Sequence, residues 1–565
     1  MTSPTPTQAP SRALGWLLAV PALFGTLITL VLPTVQTIWL SFQSGGVLTE
    51  SHFVGVDNYH ELARTGEVWR ALWFTLSLAV VPLLVAVVVA PLLAIALDRA
   101  GEWPRQAGRI ALSLAVVTFS PVGVAAAWMR GLLPDASGLA GLAQGLREPA
   151  TAPGALRLIV AAATFGVVCA LAVMAFLPAL RAGSVAYDGS VPYGGIVQGA
   201  PGSRGGGVAS GMLVVGTLLA ITMVAVGLQA FSMGLVLTRG GPERSTETLA
   251  GLEYDHAFRM AEFGPGASIA TLTGVILGVL GIVAIVIVVV SRLSITLTPR
   301  VTPAAGEGDG EAAAERGSGP VGVAVGVAAL VVFVAVALVC AWPWIDGVLA
   351  SPDSPAGAFR AQVNTWVPAV AGAIVSVGVA YLAALGIGGL RPLGRGSEWL
   401  LLVFAPWLFV GPGPLGVANW QTVRNIGLID SFLALFPPLL VSVPALLVLT
   451  LLCKGLAERT DKDFFGGVLI PSLPMAGILA GAVALVNAQD LLWPLLVAQK
   501  PALYTSQVAQ LVQLGGFSAA GPDVGAATPL IVVALALIAV AAAQLLYLDR
   551  LVITTKGSRP PAPAA

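Results

Sequence analysis

TPRVTPAAGEGDGEAAAERGSGP, Thr298–Pro320, interrupts a chain that is otherwise almost continuously apolar. The segment is rich in Pro, Gly, Ala and charge, so it has no hydrophobic face to bury and reads as a flexible linker over 296–320. The runs on either side read differently. Upstream, 266–291 is a stretch of Gly, Val, Ile and Leu; downstream, 320–343 is its counterpart. Each meets the requirement of about 20 predominantly apolar residues for a helix that crosses a bilayer. Working outward on the same criterion, further spans are expected at 13–42, 71–97, 110–133, 156–180 and 209–238 before the linker. After it they are expected at 365–390, 399–418, 432–453, 468–497 and 524–548. The expected fold is therefore an all-α polytopic membrane protein of about 12 transmembrane helices. The linker divides it into halves at 1–295 and 321–565, six spans each. An even number of spans returns the chain to its starting side, so the halves are expected to be parallel repeats about an axis along the membrane normal.

Composition agrees. Of 565 residues, 57% are hydrophobic and only 10% are charged, too few charges to cover a soluble surface of this size. The 28 basic and 28 acidic residues cancel, which excludes a basic nucleic-acid binder and a charge-rich disordered chain. Sorting the charges by side gives orientation. With the N-terminus inside, 17 of the 28 Lys and Arg fall on the inner side. That excess predicts both termini in the cytoplasm and a multi-pass protein of the cytoplasmic membrane. The run Ala13–Phe42 is too long for a signal-peptide core and reads as the first span.

Chemistry-bearing motifs are few. Cys169, Cys340 and Cys453 lie in apolar runs, and His52, His60 and His256 stand alone in polar loops, so no metal site is expected. No GxxxxGK[ST] loop is present, so the chain itself does not hydrolyse ATP and binds no cofactor of its own. HExxH and GxSxG are also missing, and no catalytic constellation is expected. What stands out is a polar cluster in the fifth span of each half, Gln229–Ser232 in the first and Asn487–Asp490 in the second. Polar side chains at such depth either line a path or bridge helices. Gln229, Ser232, Asn487, Gln489 and Asp490 are the candidate substrate-path residues, with helix–helix contact as the alternative. Prolines within spans mark expected kinks, and VGPGPLG, Val410–Gly416, is the strongest candidate for a broken helix.

These landmarks bear a resemblance. FVGVDNYHEL (Phe53–Leu62) followed by VWRALWFTLSLAV resembles the outer loop and second helix of the first permease subunit of sugar ABC importers, the maltose/glycerol-phosphate type. QAFSMGLVLTRGGPERSTETLAGLEYDHAFRMAEFGPGAS (Gln229–Ser268) resembles the end of that subunit. NTWVPAVAGAIVSVGVAYLAAL (Asn364–Leu385), NIGLIDSFLALFPPLL (Asn425–Leu440) and VNAQDLLWPLLVA (Val486–Ala498) are similar to its partner permease. The resemblance covers nearly the whole chain and implies two permease subunits fused into one. It further implies a sugar or related polyol as substrate, a dimer of separate ABC ATPase subunits on the cytoplasmic side, and an extracytoplasmic solute-binding protein on the other.

Permeases of that family carry an E-A-A loop after the fourth span, whose short helix docks on the ATPase. Its counterpart in the first half is GSVAYDGSVPYGGIVQGAP, in which Asp188, Gly189 and Pro201 match and Gly183 replaces the family glutamate. In the second half, KGLAERTDKDFFGGVLIPSLP keeps the pair Phe464–Phe465 and Ile470–Pro471 but lacks the E-A-A and D-G part. Phe74 stands where the family has asparagine. Two alternatives follow: an ATPase whose groove fits shortened loops, or an ATP-independent carrier or membrane scaffold derived from such a permease.

Overall fold

The computed structural model describes residues 12–46, 50–132, 138–181, 186–187, 196–197, 204–298, 319–349, 358–459, 463–515 and 529–555. Among them, nine helices are long and apolar enough to cross a membrane, and ten if one bent pair is taken as a single span. The protein is a multi-pass helical membrane protein.

In the first half, α1 (Arg12–Ser41) is followed by a short helix, α2 (Asp57–Thr65), and by α3 (Glu67–Arg99). The bent pair comes next, α4 (Glu102–Val117) and α5 (Pro121–Leu132), with 73° between them. Ser120 caps α5 and Pro121 opens it, so the proline that breaks the first helix starts the second. Then come α6 (Ala152–Leu180), α7 (Arg204–Leu228), two short helices α8 (Ser232–Leu237) and α9 (Leu249–Tyr254), and α10 (Phe263–Val290). The second half holds α11 (Pro320–Leu349), α12 (Phe359–Leu390), α13 (Gly416–Asn425), α14 (Val443–Ala457), α15 (Phe465–Ala488), α16 (Leu492–Val497), α17 (Ser506–Gly515) and α18 (Leu530–Leu546). At 1.5 Å rise per residue, the 28 residues of α10 reach about 42 Å, more than the ~30 Å hydrocarbon core.

Two expected spans take another form. Stretch 399–418 is built from 3₁₀ turns (Gly394–Val403 and Ala405–Trp407), an irregular run, and the start of α13. Stretch 432–453 opens with a 3₁₀ turn at Phe432–Leu435 and becomes α-helical only at Val443. Pro406, Pro412, Pro414, Pro437 and Pro438 remove amide donors along these runs, so the i→i−4 ladder cannot continue. The break expected at Val410–Gly416 is present.

The two halves are laced together. α1 packs on α12 of the second half, while α11 packs on α3, α5 and α6 of the first. These exchanged helices come very close: a Cβ on Gly386 would clash with the Gly15 carbonyl oxygen, and one on Gly326 with Ala100. The last helices cross over too, α10 onto Ala405–Trp407 and α18 onto α4. Three small ladders complete the fold: β1 (Gln43–Ser44) with β2 (His52–Phe53), β3 (Ala186–Tyr187) with β4 (Ile196–Val197), and β5 (Ser294–Leu297) with β6 (Leu551–Thr554), all antiparallel. In the last, Ser294 faces Thr554 and Leu297 faces Leu551, and Thr298 and Arg550 continue the bonding. Thr296–Thr298, expected in the linker, therefore belong to this ladder; positions 299–318 lie outside the described residues.

Candidate functional site: a cavity between two helix breaks

α7 ends at Leu228, the chain is non-helical through Gln229, Ala230 and Phe231, and α8 runs for six residues. α15 ends at Ala488, the chain is non-helical through Gln489, Asp490 and Leu491, and α16 runs for six residues. A short capped helix follows each unit. Thr248 precedes α9 and its Oγ1 accepts from the Gly251 amide; Thr505 precedes α17 and its Oγ1 accepts from the Val508 amide. The first amide of each helix is held from outside by a threonine, Leu249 N–H by Thr75 Oγ1 at 2.8 Å and Ser506 N–H by Thr365 Oγ1 at 2.9 Å.

At the first break Gln229 spends all its polar capacity on backbone. Its amide nitrogen donates to the carbonyls of Ala225 (3.0 Å) and Phe409 (2.8 Å), and its carbonyl accepts from the Gly411 amide (2.8 Å). It thus holds the proline-broken stretch of the second half in place. At the second break, Asp490 Oδ1 accepts from the Leu492 amide at 3.1 Å and caps α16. Gln489 accepts from Gln507, and Asn487 donates to the Ala369 carbonyl.

Between the breaks lies a cavity of about 110 Å³. Gln229, Ser232 and Asp490 line it, so the structure brings together three of the five residues singled out from the sequence. Asn487 and Gln489 do not line it; their side chains serve contacts to α12 and α17. Thr273 of α10, Glu253 of α9 and the Pro412–Pro414 turn add to the wall, and Leu228, Phe231, Ala250 and Leu492 make its apolar part. Glu253 is 5% exposed and makes no hydrogen bond or ion pair among the described residues. Sequence reasoning missed it because it lies in the loop 239–262, where a carboxylate is unremarkable. No local signal marks it: three or four positions away stand only Leu249, Ala250, His256 and Ala257.

Outside the spans, the loop after α8 carries a second buried carboxyl. Burial, reinforced by Asp255, pushes Glu247 up to about 7, against the opposing pull of Arg244, whose Nε lies 3.9 Å away.

Elsewhere, Arg105, Arg109 and Arg181 of the first half converge on Asp549 just after α18, at 3.7, 2.7 and 2.5 Å. In the second half Lys454 pairs with Glu398 at 2.6 Å and Arg391 with Glu458 at 3.0 Å. Of the candidate coupling-loop residues, Gly183, Asp188, Gly189 and Pro201 lie outside the described residues. Phe464 packs toward Gly389, Phe465 is exposed, and the Pro471 carbonyl accepts from the Tyr547 hydroxyl at 2.6 Å. Only residues 458–463 separate α14 from the helix that begins at Phe464. No family model matches the chain, and no curated protein matches it.

Proposed function

We propose that the chain is the membrane-spanning permease of an ABC importer, with two permease subunits fused as parallel six-span repeats. It moves a sugar or related polyol across the cytoplasmic membrane by alternating access, driven by a dimer of separate ATPase subunits. The observation that carries this reading is the recurrence of one unit in both halves: a three-residue break, a six-residue helix and a threonine-capped helix tied back to the second long helix. The exchanged packing of first and last helices, and the antiparallel pairing of β5 with β6, are what a twofold axis along the membrane normal generates from equivalent segments. Both termini are then cytoplasmic. A binding protein docks on the outer loops 50–67 and 239–262, and ATPases dock at 181–205 and 454–468.

Affinity purification of the solubilised chain from its native host tests this. The expected result is co-recovery of an ATPase subunit, with ATP hydrolysis stimulated by a solute-binding protein. Recovery of no ATPase, with uptake surviving ATP depletion, would favour the second reading, an ATP-independent carrier or scaffold descended from such a permease. One feature favours that second reading: the 458–463 connection spans at most about one and a half helical turns, too short for a separate docking helix.

A further inference from the structure

The central cavity has an apolar part, from Leu228, Phe231, Ala250 and Leu492, and a polar part in which Ser232 brings one hydroxyl donor and the other groups are mainly acceptors. Two carboxylates face it, Glu253 from the first half and Asp490 from the second, and no Lys, Arg or His lines it. Pro412 and Pro414 have no amide hydrogen, so the turn between them offers mainly carbonyl oxygen. The Thr273 hydroxyl already donates to the Ile269 carbonyl, and both amide hydrogens of Gln229 are committed to backbone. Asp490 is partly satisfied by the Leu492 amide. Glu253 is not satisfied at all, although it is nineteen-twentieths buried. A buried charge without a partner is strongly unfavourable, so Glu253 keeps its proton while the cavity is empty and, to ionise, needs a positive group beside it. A neutral polyol needs donors as well as acceptors from its site; an ammonium group or a bare cation needs acceptors only.

We infer that this cavity binds a single positive charge, held by Glu253 and Asp490 across the two halves. The source is either the ammonium group of an amine-bearing substrate, such as an amino sugar, or an inorganic monovalent cation. At about 110 Å³ the cavity admits one such group or a few waters rather than a whole sugar ring. The consequence for transport rests on the proposed permease function; binding itself does not.

The test uses the full chain in detergent, without ATPase, at constant ionic strength set with choline chloride. Unfolding temperature is followed against glucosamine, methylammonium, sodium and, as the neutral control, glucose. Glucosamine and methylammonium are expected to raise it saturably and glucose to leave it unchanged. Glu253→Gln should abolish the rise while unfolding no earlier than wild type without ligand. Asp490→Asn, which keeps the cap acceptor, should weaken apparent affinity at least tenfold and serves as the second variant. A Glu253-dependent rise with sodium alone assigns the site to an inorganic ion. The inference is overturned if none of the cations shifts the wild type, or if both variants respond like wild type. Failure to recover an ATPase partner leaves these outcomes unchanged, so the two ideas fail separately.

Discussion

The two helix breaks share a backbone and differ in chemistry. Gln229 and Gln489 occupy the same place, yet the residue that follows is Ala230 in one and Asp490 in the other. Counting from the capping threonines, Glu253 in α9 corresponds to Gln510 in α17, and both are buried. Each half therefore supplies one carboxylate, but from a different position of the unit. Architecture has been kept where backbone needs an acceptor, as at Thr75 and Thr365, and has diverged where side chains face the cavity. The charge clusters of the two halves differ in the same spirit. One gathers three arginines on Asp549, whereas in the other Lys454 and Arg391 share Glu398 and Arg391 also reaches Glu458.

That contrast in charge pairing yields the largest expected effect. Asp549→Asn leaves three arginines without their common partner, Arg109 being 2% exposed, and should cost about 3–5 kcal/mol of stability. Chemical denaturation in detergent measures it; a loss no larger than that of Glu458→Gln would erase the contrast. Next in size are Thr75→Val and Thr365→Val. Each strips the acceptor from a buried amide and should cost about 1–3 kcal/mol. Similar losses sharpen the equivalence of the two units, and a harmless substitution on one side breaks it. Asp490→Asn should reduce uptake by about tenfold at an unchanged amount of folded protein, as expected for an ionisable group that faces an intramembrane path. Equal uptake would leave Asp490 as a helix cap and nothing more. The last effect is read against pH and concerns Glu247. The folded chain holds that proton to about pH 7, the unfolded chain only to about 4.5. Stability should therefore fall as pH rises between those values and level off above them. Glu247→Gln should flatten that part of the profile, measured by thermal unfolding, and a matching slope in the variant would assign the effect elsewhere.

Much of the fold was legible because lipid imposes a simple rule. Stretches such as 266–291 and 320–343 are predominantly apolar and carry no charge, and both emerge as long helices. The rule failed where proline overrode hydropathy: 399–418 and 432–453 are apolar enough to span, but their backbone is 3₁₀, irregular or only partly α-helical. Polar residues inside apolar runs were conspicuous, which is why Gln229, Ser232 and Asp490 could be picked out. Their roles were not legible, because the partner of Gln229 is backbone 180 positions away. Glu253 was hidden for the opposite reason. In a polar loop a carboxylate carries no hint of burial, and only the packing of α9 against α10 and α3 reveals it.

The β5–β6 ladder joins the last turns of both halves just where the connecting segment begins. The chain is thus fastened twice at one point, once covalently and once by hydrogen bonds that include the Ser294–Thr554 hydroxyl pair at 2.8 Å. A covalent tether beside a formed ladder is mechanically redundant. Cleaving the chain between 299 and 318 should therefore leave one particle, and two separately expressed halves should assemble through the same seam. Rearrangements of this face would then pivot on the seam, the two lobes hinging about it rather than parting from it.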